Sequence, residues 1–101
     1  LMLKTLTVYD YRQQLADALR SGKYKQRIGG MGLSEYHTNH CALGVAYKIG
    51  IHEDGTADLN KKIAAKLGLP TWYSLSMRND GEGGYHQHPF EELATWLESL
   101  P

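Results

Sequence analysis

The chain has 101 residues, 42% of them hydrophobic and 22% charged, which suits one folded domain over residues 1–101 and excludes a disordered or fibrous chain, since halves of about 50 residues would each hold only a marginal core. Eleven basic side chains balance eleven acidic ones and the pI is near 7.1, so the broad positive field that drives nonspecific nucleic-acid binding is missing. A single cysteine excludes an intrachain disulfide and any paired-cysteine zinc or redox site, and no apolar run nears the roughly 20 residues of a membrane helix.

The N-terminus lacks the continuous apolar stretch of a secretion signal, so a cytoplasmic location is expected. Thr7 and Asp10 have capping-box spacing and open a helix over Val8 to Ser21. Val8, Tyr11, Leu15, Ala18 and Leu19 fall on its apolar face, Arg12, Gln13, Asp17 and Arg20 are assigned elsewhere, and Ser21-Gly22 ends it. From Lys23 to Thr38 the glycines at 29, 30 and 32 each cost a helix about 1 kcal/mol, so a β-hairpin with a glycine-rich turn is expected. Two strands alone are marginal; the hairpin must lie against another element or pair with a second subunit, and a homo-oligomer is expected.

Cys41 to Ile51, CALGVAYKIGI, is apolar at nearly every position. A helix without a polar face must be surrounded, and this stretch is read as the buried central helix, with Asn39 or His40 as N-cap and Gly50 at its C-terminal end. His52 to Thr56 is turn chemistry with Asp54-Gly55 at the reversal. Leu59, Ile63 and Leu67 mark a helix over Ala57 to Leu67 that Gly68 ends. Pro70 forces a restart, and Thr71 to Met77 is read as a short helix over a strand. Arg78 to His88 is polar and glycine-rich, an exposed loop or small hairpin. Pro89 then starts a last helix, with Glu91 and Glu92 at the positive end of its dipole and Phe90, Leu93, Ala94, Leu97 and Leu100 as its stripe. The fold class is α+β: a small, mostly helical domain of four or five helices, with one glycine-rich β-hairpin packed on a buried central helix.

Four groups of residues carry candidate chemistry. Cys41 starts a helix, where a thiol pKa falls, and His37, His40, His86 and His88 are candidate bases for a Cys-His nucleophile; a packed core cysteine explains the same stretch more economically. His37, His40, Cys41, His86 and His88 are also zinc-type ligands, but they straddle element boundaries and match no zinc spacing, so no metal and no cofactor is expected. Arg20, Lys23, Lys25 and Arg27 lead into the glycines, whose free N–H groups suit an anion, with nucleic acid a weaker use of the same run. Seven tyrosines and two tryptophans exceed the needs of so small a core. Of Tyr36, Trp72, Tyr73, Tyr85 and Trp96, the last off the stripe of its helix, at least two are therefore expected at an interface, the others covering the edges of the core.

ALRSGKYKQ (Ala18 to Gln26) followed by CALGVAYKIG (Cys41 to Gly50) resembles a family of small uncharacterised bacteriophage and prophage proteins. In that family an ALRSGKY-Q helix end precedes a hairpin, a Cys-rich CLGV helix and a late Asn-Asp loop that leads into a helix like SFAEIADWIE. The matching pieces here are Asn79-Asp80 and Pro89 to Glu98. The chain departs in Ala42, where a second cysteine is common, in its HTNH lead-in and in the longer GEGGYHQH loop. The resemblance implies a phage accessory product and carries over no catalytic residues. The function expected is a binding protein that inhibits or sequesters a host protein, such as a defence component, or a small nucleotide. Its binding residues would be Arg20, Lys23, Lys25, Arg27, Tyr36, Arg78, Asn79, Asp80 and Tyr85. The competing expectation is a small hydrolase or nucleotide-processing enzyme using Cys41, His40, His86 or His88.

Overall fold

A computed structural model describes residues 5–34, 36–52 and 57–101. Its elements in chain order are α1 (Val8–Arg20), β1 (Lys25–Gln26), β2 (Asn39–His40), α2 (Ala42–Lys48), α3 (Leu59–Lys66), α4 (Tyr73–Asp80) and α5 (Phe90–Ser99). The Asp54-Gly55 reversal lies outside the described residues.

α1 begins where its capping box places it. The Asp10 amide donates to Thr7 Oγ1 (3.2 Å) and the Thr7 amide donates back to the Asp10 carboxylate (2.9 Å). Leu15, Ala16 and Leu19 of α1 pack with Leu93, Ala94 and Leu97 of α5, all buried, and these two helices form the most extensive pairing in the molecule. Across the rim of that pair Arg20 bridges Glu98 (2.6 Å) and Glu91 (3.1 Å).

α2 is the buried centre, with Ala42 to Ala46 shut off from solvent. It is shorter than the sequence suggests, because Asn39 and His40 belong to β2 and Cys41 takes the N-cap position. At the other end Gly50 adopts φ 89°, which lets the Ile51 amide reach Ala46 O (2.9 Å) and the Gly50 amide reach Tyr47 O (3.0 Å). That is a Schellman stop, and it turns Ile51 back into the core.

The expected hairpin takes another form. β1 and β2 run parallel, Lys25 opposite Asn39 and Gln26 opposite His40, with the Arg27 amide donating to His40 O (2.9 Å). A parallel pair needs a long crossover, and between the strands the chain passes over α2, where the Met31 carbonyl lies against Gly44. Two glycines permit its close approach, one on each side: a Cβ on Gly44 of α2 would collide with the Met31 carbonyl oxygen, and one on Gly32 of the loop with the Asn39 carbonyl oxygen.

The short helix expected over Thr71 to Met77 is α4, which starts later, at Tyr73, and continues to Asp80, so the exposed segment expected from Arg78 begins only at Gly81. Asn79 explains the difference, since its side chain is fully buried and bonded inward. Arg12, assigned to the outer face of α1, is also buried, at 6% exposure. Among the described residues no helix is long and apolar enough to cross a membrane.

Candidate functional site: the α4–α5 face and its two clefts

Two groups of residues expected at a site are brought together, in different places. The first surrounds Asn79. Its Oδ1 accepts from the Ala42 amide at the start of α2 (3.1 Å) and from Gln26 Nε2 (3.0 Å), while its Nδ2 donates to Arg27 O (2.8 Å) and Asp80 Oδ1 (2.7 Å). Asp80 Oδ1 also accepts from the Gly29 amide (3.1 Å), and Arg27 turns back on Gly29 O (3.0 Å) and Asn39 Oδ1 (3.4 Å). Arg27, Asn79 and Asp80 thus tie the glycine loop to α2 and α4. The Asn79 amide is saturated by these bonds, two accepted and two donated, which leaves it nothing with which to recognise a ligand.

The second group lies on the outer face of α4 and α5. The Arg78 guanidinium sits 4.3 Å from the Trp96 ring centre and 4.5 Å from that of Tyr85, a cation held between two aromatic faces. One N–H of Arg78 bonds Ser74 O one turn back in α4 (2.8 Å). Trp96 can take part because it lies off the buried stripe of α5, as its spacing indicates. The 81–88 loop brings Tyr85 over, and its return is fixed by the His88 amide on Arg78 O (2.8 Å) and by Gln26 Nε2 on His88 O (2.8 Å).

Arg78 and Trp96 stand between two clefts and line both. One, about 400 Å³, runs along α5 and is bordered by Glu91, Glu92 and His88, with His88 Nδ1 3.0 Å from Glu92 Oε2. The other, about 390 Å³, opens toward the ends of α3 and α5 and reaches Arg12. Tyr85 and Arg78 are among the expected binding residues, whereas Arg12 is not. The signal was present, since Arg12 is four residues from both Val8 and Ala16 and so lies on the buried stripe.

The remaining candidates are scattered. Arg20 is engaged by Glu98 and Glu91, which hold its pKa above the ordinary value, Glu98 most strongly. Lys23 lies over the Tyr24 ring at 5.6 Å, Lys25 is exposed, and Tyr36 is 86% exposed. The basic run is therefore not one surface.

Cys41 is 4% exposed. Burial pushes its thiol pKa up, against the pull of the Gly44 and Leu43 amides at the start of α2, and the nearby Asp80 charge adds to the rise. His40 is buried with Nδ1 2.8 Å from Gly32 O, so its proton sits on Nδ1. His37 Nδ1 accepts from the Ser34 amide (3.1 Å) and His86 is exposed in the 81–88 loop. Among the described residues no three metal-ligating side chains converge.

Comparison with protein-family models, with curated proteins and with solved structures finds no match to this chain.

Proposed function

We propose that this is a binding protein of the phage accessory type, which inhibits or sequesters a host component through the α4–α5 face. The observation that carries the reading is Arg78 held between Tyr85 and Trp96 at the junction of two clefts. Arg, Tyr and Trp are the side chains that dominate binding energy at interfaces. Here the aromatic faces hold the guanidinium in place before any partner arrives, which lowers the entropy cost of binding. The phage assignment rests on the ALRSGKYKQ and CALGVAYKIG resemblance and on the Asn79-Asp80 step ahead of α5. The glycine loop, with Ile28 and Tyr36 exposed, offers a second contact zone.

A Cys-His hydrolase is the weaker reading. A nucleophile needs a thiolate within reach of substrate, whereas this thiol is buried and its pKa is raised. Under the binding reading, iodoacetamide at neutral pH leaves the native thiol intact and modifies it fully in urea; rapid native alkylation would favour the enzyme. Affinity capture from bacterial lysate tests the binding reading itself. Arg78→Gln and Trp96→Ala should each remove the partner that wild type retains, and an unchanged set of captured partners would exclude this face.

A further inference from the structure

The two clefts beside Arg78 differ in charge. The α5 cleft carries Glu91 and Glu92 on its wall and repels an anion. The second cleft carries two guanidinium groups, Arg12 and Arg78, and among the described residues none that lines it has a carboxylate side chain. Tyr85 and Trp96 supply its aromatic wall.

Arg12 is held in place by four carbonyl oxygens. Nε donates to Leu67 O (2.7 Å), Nη2 to Gly68 O (3.2 Å), and Nη1 to Pro101 O (3.0 Å) and Leu100 O (3.5 Å). A guanidinium has five N–H groups, so one on Nη2 keeps no acceptor among the described residues. Nη2 is the nitrogen on the side of Gly68, which also lines the cleft. Glu98, across the Arg12 side chain in a smaller hollow of about 110 Å³, is occupied by Arg20 (2.6 Å) and Gln13 (3.0 Å). Arg12 thus brings a fixed positive charge to the cleft wall, faced by main-chain oxygens, that of Pro101 among them, and by the Tyr9 ring 5.5 Å away, and Arg78 adds a second.

We infer that this cleft is a mononucleotide site, with the base against the Tyr85, Arg78 and Trp96 surface and the phosphate between Arg78 and Arg12. Aromatic rings and guanidinium planes both stack nucleobases, and guanidinium groups pair phosphate oxygens with matched geometry. The volume, about 390 Å³, falls at the small end of the roughly 300–1,000 Å³ range of ligand sites and suits one nucleotide. The inference rests on the binding reading above and names the class of ligand for the same face.

The test uses Trp72→Phe, which leaves Trp96 as the one tryptophan, at low ionic strength where phosphate contacts are least screened. Adenosine 5′-monophosphate should change Trp96 fluorescence saturably. Adenosine and ribose 5-phosphate, each lacking one recognised half, should bind weaker by about tenfold or more, as expected for loss of charge-assisted hydrogen bonds or of stacking. Adding Arg78→Gln should weaken the nucleotide by about tenfold and adenosine by clearly less, because the variant removes both a phosphate partner and one part of the base surface while the two aromatic rings remain. Arg12 is left intact because the fold depends on it. Amide NMR shifts provide a readout independent of fluorescence, with changes expected at Gly68, Leu69 and Ser74. Absence of saturation at millimolar nucleotide in both readouts, equal affinity for nucleotide and nucleoside, or indifference to Arg78→Gln would overturn the inference. A protein that ignores nucleotide but captures a host partner through Arg78 and Trp96 would sink the nucleotide site alone; one that does neither would sink the binding reading too.

Discussion

Arg12 and Asn79 are both buried polar side chains that close helix ends, and they do so with opposite polarity. Arg12 brings a cation to the C-terminal carbonyls of α3 and α5, where the helix dipole is negative. Asn79 brings a carbonyl oxygen to the first amide of α2, where the dipole is positive. The region around Asn79 is closed, with glycine loop, strand pair and helix start all served by one amide and its neighbour Asp80. The region around Arg12 stays open on one side, where its charge faces a cleft shared with Arg78 and Trp96. Binding chemistry is left over at the open end.

The largest effect in this comparison belongs to Arg12. Arg12→Met removes the donor to carbonyls of α3 and α5 together and should cost about 3 kcal/mol in urea denaturation. Arg12→Lys should recover less than half of it, because one ammonium cannot span both helix ends. A loss below about 1 kcal/mol would mean that water serves those carbonyls equally well.

Asn79→Leu should cost about 2 kcal/mol and differ in kind. Hydrogen exchange should speed up at Arg27, Gly29 and Ala42 while the α1–α5 amides keep their protection. Uniform loss of protection would show that the Asn79 region is not a separate local unit.

Gly44→Ala tests the loop seated on α2. Helix propensity alone favours alanine by about 1 kcal/mol, yet the new methyl would meet the Met31 carbonyl oxygen. Net destabilisation is expected by thermal denaturation, and a gain in Tm would show that the loop lifts away freely.

The smallest effect is electrostatic. Gln13 and Arg20 hold the Glu98 carboxyl below the usual carboxylate range. A depressed pKa adds stability above the unfolded value of about 4.3, and that stability is lost as pH falls through the lower folded value. The Tm difference between wild type and Glu98→Gln should therefore be small but present at pH 7 and vanish toward pH 3. Arg20 and Glu98 lie at the surface, so salt should reduce it as well.

The sequence made the outer helices legible because their signals are local. The Thr7 and Asp10 capping box and the Phe90, Leu93, Ala94 and Leu97 stripe need no distant partner to act. The interior was less legible because its polar residues answer to neighbours far along the chain. The spacing of Arg12 puts it on the buried stripe of α1, but what its charge meets there appears only when the main-chain oxygens of residues 67, 68, 100 and 101 are placed around it. Asn79 reads as a loop residue until Ala42, Gln26 and Arg27 converge on it. The glycines at 29, 30 and 32 read as a hairpin turn, whereas the strands pair in parallel and the chain between them is seated by Gly32 against Asn39 and by Met31 against Gly44, contacts that no local pattern announces. Of the candidate site, Arg78, Tyr85 and Trp96 were each visible as residue types; that they form one stack depends on α4 and α5 lying side by side.

Parallel lysate capture with Arg78→Gln and Cys41→Ser separates the Arg78 stack from Cys41 as the working site of the molecule. Both variants should fold with cooperative melting. Arg78→Gln should lose the host partner while Cys41→Ser retains it; retention by Arg78→Gln together with loss in Cys41→Ser would move the working site from the Arg78 stack to Cys41.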